Sequence, residues 1–292
     1  MDSASGFTAH DDLPSLLELQ AEADDQFVSE HLDGNQNGRV FGGQLLAHAV
    51  TAALAAAPDR HLSSLRLGFL QGALGGVPLR WQARTLQHGS RYTTRHLRAT
   101  QGERVIADAQ VTLQVPAQGF EHAESMPNGV PPPDDVPTLA ALEAQIKQAT
   151  GRDYGLQMRP FLDLRLVAAD RFLLQAASQP TLQYWVKARD PLQGGPGLHA
   201  AALAYISDFW LNYASLATHM AVTGARDRIY VSSLNHALWC YAPCRADEWL
   251  LFDVSSPMAA DGRGLVWAKV FTQSGQLVAC ATQEMVCAVK DL

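Results

Sequence analysis

The sequence lacks the features of a nucleic-acid-binding or membrane-spanning protein. It contains no block of lysine and arginine, and its 29 acidic residues outnumber its 22 basic ones, which gives a formal net charge of -7. A phosphate-backbone partner is therefore excluded, since nucleic-acid binders carry a concentrated basic face. No run approaches the roughly 18 apolar residues that a membrane span needs, and the polar start MDSASGFTAHDDLPS has no apolar signal region. We expect a cytoplasmic protein with no membrane span.

Motifs for metal binding, disulfides and covalent catalysis are also absent. No CxxC pair occurs among the cysteines Cys240, Cys244, Cys280 and Cys287, so the spacing predicts neither a zinc site nor a disulfide framework. We expect all four to be small, buried, apolar residues. The chain has no GxSxG pentapeptide, which disfavours a serine nucleophile of the common hydrolase type. Neither a metal nor a cofactor is predicted.

A proline-rich segment divides the chain into two parts. The prolines Pro131, Pro132 and Pro133 are consecutive and are incompatible with a helix interior or a central strand. We therefore predict a first repeat over residues 1–118, a linker over residues 119–163 and a second repeat over residues 164–292. The linker carries one predicted helix, roughly over residues 138–149.

Both parts show one apolar helix followed by an antiparallel series of strands. The helical segments are FGGQLLAHAVTAALAAA and HAAALAYISDFWLNYASLATHM, and turns follow at Gly89 and Gly102 and again at Gly262 and Gly275. The glycines of each pair are thirteen residues apart, and the same offset places Gln110 opposite Gln283. The pattern predicts an α+β fold of two fused repeats, each with a long helix wrapped by an antiparallel sheet.

Several separate segments resemble the acyl-CoA thioesterase II family, the double-hotdog thioesterases: RVFGGQLLAHAV, LQVPAQGFEH, ISDFW, SSLNHALW and EWLLFDVSSPMAADGRGLVWAKVFTQSGQLVACATQE. The resemblance covers about residues 12–290 in a consistent order. It implies a double hotdog fold that hydrolyses acyl-CoA to free acid and CoA without a cofactor. One departure is the family's arginine-proline-glycine turn, which is missing at Gln71 to Ala73 in FLQGALGG.

The resemblance also implies a catalytic trio in the second repeat. It consists of an aspartate at the start of the second helix, a hydroxyl on the following strand and a glutamine on the last strand. These positions hold Asp208, Ser233 in place of the family's threonine, and Gln283. A water deprotonated by Asp208 can attack a thioester directly if it is well positioned. The alternative interpretation is that Asp208 only caps a helix.

Five further residues are predicted to contact the substrate: Gly42, Gly43, Gln44, Trp210 and His236. Two glycines weaken a helix start, so we expect a ligand or another backbone to approach there closely. Free N–H groups at a helix start also favour a developing oxyanion. Trp210 is a candidate for lining an acyl tunnel. His236 is either a site residue or a packed strand histidine. Three arginines are candidate contacts for CoA phosphates or are solvated strand residues: Arg66, Arg91 and Arg95.

Two other functions are compatible with the same sequence. One is a non-hydrolytic acyl-thioester-binding protein, in which Ser233 fails to hold the water. The other is a thioesterase for carrier-protein-bound or polyketide-like acyl groups. Sheet edges and apolar surface also predict a homodimer or a higher homo-oligomer.

Overall fold

The computed structural model describes residues 12–29, 31–35, 37–156, 159–221, 223–224 and 228–290. Its α-helices with described bounds are α1 (Leu13–Leu17), α2 (Gly42–Leu54), α3 (Leu139–Thr150), α4 (Pro196–Ser207) and α5 (Asn212–Leu216). The strands are β1 (Gln20–Ala23), β2 (Gln26–Ser29), β3 (His61–Phe69), β4 (Leu79–His88), β5 (Tyr92–Gln101), β6 (Arg104–Gln114), β7 (Leu162–Leu166), β8 (Thr181–Ala188), β9 (Ile229–Cys240), β10 (Leu250–Ala260), β11 (Arg263–Thr272) and β12 (Leu277–Val289). The predicted α+β class is confirmed.

The elements form two compact units that are discontinuous in sequence. Unit 1 comprises the described residues up to Glu121 together with Pro191–Phe209 and Leu234–Ala246. Unit 2 comprises His122–Asp190, Trp210–Ser233 and the described residues from Asp247 onward. The repeat boundaries at residues 118 and 163 describe the sequence duplication and stay a prediction. No described helix is long and apolar enough to cross a bilayer.

Unit 1 buries α2 almost completely. Its strands follow the order β1-β2-β4-β5-β6-β3-β9, with antiparallel neighbours throughout. α2 packs against β3, β4, β5 and β6, and also against α4. A helix that is apolar all round requires such burial, and ten of the thirteen residues of α2 are buried. The Ala/Leu-rich composition of this segment is thereby explained.

The C-terminal end of α2 is held by a buried arginine. Arg95 on β5 is 0% exposed, donates to the carbonyl oxygens of Ala52 and Ala53, and forms an ion pair with Asp25. A cation near the last carbonyls of a helix is favourable. The interpretation of Arg95 as a phosphate contact or a solvated strand residue is therefore wrong. Its role is to fix the end of the buried helix.

The strands of unit 2 follow the order β12-β11-β10-β8-β7, with antiparallel neighbours. The turn between β10 and β11 places Asp261 and Gly262 at φ values of 51° and 67°, as the favoured two-residue hairpin requires. α5 packs against β8, β10, β11 and β12. The predicted linker helix is confirmed as α3, which the Thr138 side chain caps at its N-terminus and Gly151 ends at φ 71°.

The second predicted helix is not continuous. The segment HAAALAYISDFWLNYASLATHM forms α4, which ends at Ser207, and α5, which begins at Asn212. Asp208 is the C-cap of α4 with φ -88° and ψ -4°. The prediction that Asp208 lies at a helix start is therefore wrong, and so is the interpretation that it caps its own helix at the N-terminus. Apolar residues continue across the break, so hydrophobic periodicity does not reveal it.

The predicted equivalence of Gln110 and Gln283 is wrong as well. On β6 the buried residues include Ala109 and Val111, and Gln110 between them is exposed. On β12 the side chain of Gln283 is completely buried. The strands are connected differently, since Gln101 pairs with Arg104 in unit 1 and Phe271 pairs with Leu277 in unit 2, with register shifts in both hairpins. A shift by an odd number of residues exchanges the two faces of a strand.

The four cysteines are less buried than the sequence predicts. All four are free thiols and are only partly buried. Burial raises the pKa of the Cys280 and Cys287 thiols, because a low-dielectric environment disfavours the thiolate. These two residues are therefore poor nucleophiles at neutral pH.

Candidate functional site

The carboxylate of Asp208 lies against the first residue of α2, within unit 1. Asp208 is 6% exposed, and a Cβ atom at Gly42 would lie 2.5 Å from its Oδ2. The same Cβ atom would lie 3.0 Å from the ring of Phe69. Any side chain at Gly42 would therefore displace one of these two groups. The glycine leaves the space that the Asp208 carboxylate occupies.

This position places a negative charge at the positive end of a helix. Phe41, the N-cap of α2, makes no side-chain capping hydrogen bond, so the N-terminus of α2 offers backbone N–H groups and a partial positive charge. A carboxylate is favoured at such a helix end. The C-terminus of α4, where Asp208 itself sits, has the opposite effect on a carboxylate. The helix end that suits the Asp208 carboxylate is therefore that of α2.

Gly43 allows an even closer approach, by a backbone rather than a side chain. A Cβ atom at Gly43 would lie 2.2 Å from the carbonyl oxygen of Tyr205 on α4 and 2.4 Å from the Phe41 ring. The rings of Phe41 and Tyr205 pack edge to face at 5.0 Å. The expected close approach at the two glycines is confirmed, and the approaching groups belong to the protein. Their contact with substrate stays a prediction.

Gln44 anchors an extended segment to the start of α2. Its buried amide Nε2 donates to the carbonyl oxygens of Leu16 and His31, and its Oε1 accepts from the N–H of Asp33 at 2.8 Å. Asp33 also accepts a hydrogen bond from the hydroxyl of Tyr205. Both amide hydrogens of Gln44 therefore have protein acceptors. The predicted contact of Gln44 with substrate is not tested by this arrangement.

His236 on β9 contacts the residue that precedes Asp208. Its Nε2 lies 3.0 Å from Oγ of Ser207, and this hydroxyl donates its only hydrogen to the carbonyl oxygen of Ala204 at 2.8 Å. Ser207 Oγ thus lies within hydrogen-bonding distance of both the Ala204 carbonyl and the His236 imidazole. His236 is 1% exposed. It fixes the last turn of α4, and its predicted role in substrate binding stays a prediction.

The side chains of Ser233 and Gln283 contact each other in unit 2, which is compatible with the prediction that both hold the same water. Nε2 of Gln283 donates to Oγ of Ser233 at 2.9 Å and to Oδ1 of Asn212 at 2.8 Å. Gln283 is 0% exposed on the inner face of β12, where Ala281 and Met285 flank it. A buried amide is costly unless it is hydrogen-bonded. Its two hydrogens are accounted for by these two acceptors.

Asn212 is the residue that the sequence interpretation missed. It is the first residue of α5 and lies four positions after Asp208. A signal for it is present in the sequence, since Asn212 is a polar residue inside the apolar run FWLNYASL. The pattern alone does not identify its partner, because Gln283 is 71 residues away in the chain.

Trp210 occupies the break between α4 and α5 with an unusual backbone conformation. Its φ is 67°, a region that bulky L-residues rarely adopt and that costs about 1–3 kcal/mol. The indole is 3% exposed and packs on Tyr213 with ring centroids 4.5 Å apart. The buried Nε1 has no hydrogen-bond partner among the described residues. Its predicted role in lining an acyl tunnel is not tested by these contacts.

The turn at Gln71 to Ala73 lacks its own arginine but is contacted by two others. Arg104 donates through Nε to Oε1 of Gln71 and through a terminal nitrogen to the carbonyl oxygen of Gly72, at 3.1 and 3.0 Å. The aliphatic part of Arg39 covers Gly72, since a Cβ atom there would lie 2.8 Å from Cδ of Arg39. Two guanidinium groups from other elements therefore lie at this turn.

Comparison with known proteins adds independent information. Residues 32–114 match the acyl-CoA thioesterase N-terminal domain, and residues 133–287 match the acyl-CoA thioesterase C-terminal domain. The human protein acyl-coenzyme A thioesterase 8 is 32% identical, with 94% of this chain and 88% of that protein covered.

Solved structures agree with the sequence comparison. Acyl-CoA thioesterase II TesB2 from Mycobacterium marinum superposes with a TM-score of 0.76 at 31% identity and covers 95% of this chain and 97% of its own. A hot dog fold protein of unknown function from Alicyclobacillus acidocaldarius has a TM-score of 0.74 at 19% identity, covering 95% and 98%. The second similarity concerns the fold alone. The predicted double hotdog fold is confirmed.

Proposed function

The chain belongs to the acyl-CoA thioesterase II family, and we propose that it hydrolyses acyl-CoA thioesters by direct attack of a water molecule that Asp208 activates. Family membership supports thioester hydrolysis with acyl-CoA as the substrate. The products are a free acid and CoA. The identity of the water-activating residues is the part that experiment has to test.

The reaction follows from the chemistry of the three side chains. Asp208 accepts a proton from water as the water oxygen attacks the thioester carbonyl carbon. The carbon–sulfur bond of the tetrahedral intermediate then breaks, and the proton returns from Asp208 to the leaving CoA thiolate. Ser233 and Gln283 hold the water through hydrogen bonds. Their rigidity matters because a water fixed in the attacking geometry loses less entropy in the transition state.

The surroundings of Asp208 supply the observation that carries this proposal. The Asp208 carboxylate is 6% exposed and terminates an α-helix. Its charge opposes the dipole of that helix, and its burial removes hydration, so both features cost free energy. Stability of α4 therefore gives no reason for an aspartate at this position. Beside Gly42 it lies at the N-terminus of α2, where an anionic group is favoured, and a general base has to be ionised.

The remaining predicted residues are proposed to serve the same reaction. Backbone N–H groups at Gly42 and Gly43 suit the developing oxyanion, and Gln44 fixes the segment beside them. Trp210 and His236 are proposed to shape the substrate-binding surface.

A homodimer or a higher homo-oligomer and a cytoplasmic location complete the proposal. The four free thiols fit a reducing compartment. Light scattering at micromolar concentration tests the assembly, and a monomer mass would contradict it.

The direct test is Asp208→Asn, which removes the proton acceptor with little change in volume. Thiol release from acyl-CoA substrates of several chain lengths should fall by a factor on the order of 10² or more in kcat. Thermal unfolding should show that the variant remains folded. Asp59→Asn, which changes an exposed residue beyond α2, serves as the control and should leave kcat unchanged. Full activity of the folded Asp208→Asn variant would exclude Asp208 as the base.

A further inference from the structure

The carboxamide of Gln283 is held at two points. Its Nε2 atom lies 2.8 Å from Oδ1 of Asn212 and 2.9 Å from Oγ of Ser233. A carboxamide has two N–H hydrogens, and each of these acceptors takes one of them. With both hydrogens engaged, rotation of the amide by 180° would bring Oε1 against the Oδ1 of Asn212. The position of Oε1 is therefore determined by Asn212 and Ser233 together.

We propose that Asn212 is a positioning residue for thioester hydrolysis, which acts by orienting the side chain of Gln283. The inference rests on the proposed role of Gln283 and extends it to a residue that the catalytic trio does not include. In this arrangement Oγ of Ser233 accepts one hydrogen bond from Gln283, and Oδ1 of Asn212 accepts the other. Asn212 thus fixes which atom of the Gln283 carboxamide faces it.

The local backbone supports this role. Asn212 is the first residue of α5, a helix that packs against four strands of its unit. The preceding break contains Trp210 at φ 67°, and strain of this kind persists only when the surrounding structure holds it in place. The Trp210 ring packs on Tyr213, the residue after Asn212. The start of α5 is therefore held by packing, and Asn212 presents its oxygen from a fixed backbone.

Substitutions at Asn212 can separate the effect of its hydrogen-bond acceptor from the effect of its side-chain volume. Asn212→Asp keeps an oxygen acceptor, and a negative charge in the first turn of a helix is favourable. Asn212→Leu keeps the approximate shape and removes the acceptor. Ser215→Ala changes a buried residue of the same helix, whose hydroxyl lies beside the Cys287 thiol rather than Gln283. This third variant controls for general disturbance of α5.

Kinetics of thiol release should then separate the variants. Asn212→Leu is expected to lower kcat about tenfold, with KM changed less than about twofold, because misplacement of a positioned group affects the transition state. Asn212→Asp and Ser215→Ala should stay within about threefold of the parent kcat. If Asn212→Leu does not fold, Asn212→Ala replaces it, since alanine favours a helix and also lacks the acceptor.

A double-mutant cycle decides whether Asn212 acts through Gln283. In a Gln283→Ala background, Asn212→Leu should cause no further loss of kcat, because the group that it orients is gone. An additional tenfold loss in that background would overturn the proposal, as would parent-like activity of Asn212→Leu. Equal damage by Asn212→Asp and Asn212→Leu would also overturn it, since the acceptor would then not be what matters.

The cycle also separates this inference from the proposed function. If Gln283→Ala lowers kcat and Asn212→Leu does not, only the role of Asn212 is lost. If Gln283→Ala is folded and fully active, Gln283 has no catalytic role, and both proposals are overturned at that position.

Discussion

The helix and the last strand of the first repeat differ from those of the second. α2 runs without a break from Gly42 to Leu54, whereas the corresponding apolar segment of the second repeat is interrupted between α4 and α5. On β6 Gln110 is exposed, and on β12 Gln283 is completely buried. The second repeat therefore has a break in its apolar helical segment and a buried amide on its last strand, and the first repeat has neither feature.

This difference separates segments that packing explains from segments whose buried polar groups packing does not explain. An unbroken, buried helix and an alternating strand are what stability alone would produce. A helix break with a buried carboxylate and a strand with a buried amide both lower stability unless each group is compensated. In the proposed mechanism, the first repeat contributes glycines and backbone, and the second contributes the side chains that take part in proton transfer and hydrogen bonding.

The largest effect on kcat is expected from Gly42→Ala, which changes the first residue of α2 in the first repeat. The new Cβ atom would lie 2.5 Å from Oδ2 of Asp208, so the carboxylate has to move. We expect kcat for thiol release to fall on the order of 10², because a shift of about 1 Å in a catalytic group has effects of this size. The free energy of unfolding should change much less.

Two other glycines serve as controls for Gly42→Ala. A Cβ atom at Gly68 meets no heavy atom within 4 Å, so Gly68→Ala should leave both kcat and stability near the parent values. At Gly43 the obstacle is the Tyr205 carbonyl oxygen at 2.2 Å, so Gly43→Ala should lower stability by about 1–3 kcal/mol. An active Gly42→Ala variant would show that the first repeat does not shape the site.

A smaller difference in kcat is expected between the alanine variants of Gln283 and Gln110. Gln283→Ala removes a buried amide that binds Ser233 and Asn212, whereas Gln110→Ala changes an exposed side chain. We expect the kcat of Gln283→Ala to be at least about tenfold below that of Gln110→Ala, which corresponds to about 1.4 kcal/mol in activation free energy. Equal kcat losses in two folded variants would mean that the first repeat has catalytic side chains of its own.

The smallest effect concerns stability, and it follows from His48, a histidine that is completely buried in α2. Burial lowers the pKa of His48 from 6.5 to about 4. Between pH 4 and pH 6.5 the unfolded chain binds a proton at His48 that the folded protein does not bind. The contribution of His48 to the free energy of unfolding is therefore complete above pH 6.5 and is lost as the pH falls towards 4. The free energy of unfolding should drop by roughly 0.7 kcal/mol between pH 7 and pH 6 from this residue alone.

Urea unfolding at pH 5, 6 and 7 measures this dependence. His48→Gln keeps a donor for the carbonyl oxygen of Leu16, which His48 contacts at 2.9 Å, and should flatten the profile. His61→Gln changes an exposed histidine on β3 and should leave the profile unchanged. Identical profiles for His48→Gln and the parent would contradict the assignment to His48.

The sequence predicts local structure well where turn and cap residues determine it. The glycines at 89, 102, 262 and 275 follow from strand alternation and turn chemistry, and the structure has hairpin turns at each of them. Thr138 and Gly151 bound α3 for equally local reasons. The family resemblance predicts that Ser233 and Gln283 act on the same water, and in the structure these two side chains are hydrogen-bonded to each other.

The errors arise where distant residues decide the outcome. The break after Ser207 depends on the packing of Trp210 and on the contact of Asp208 with Gly42, which is 166 positions earlier. The face of Gln110 depends on register shifts that no local signal encodes. Asn212 was missed because it begins a helix and its partner Gln283 lies on β12, 71 residues later in the chain. Each of these features is set by tertiary contacts that propensity and periodicity do not contain.

The discontinuous composition of the two units affects how the chain folds during synthesis. Successive segments alternate between the units, and unit 1 is complete only when Leu234–Ala246 has been made. A ribosome therefore has to deliver about four-fifths of the polypeptide before either unit can close, although N-terminal domains usually fold first. Until Pro196–Ser207 has been made, α2 lacks α4, its apolar partner, and exposes surface that promotes aggregation. Truncation after Glu121 would leave this same incomplete state as the final product.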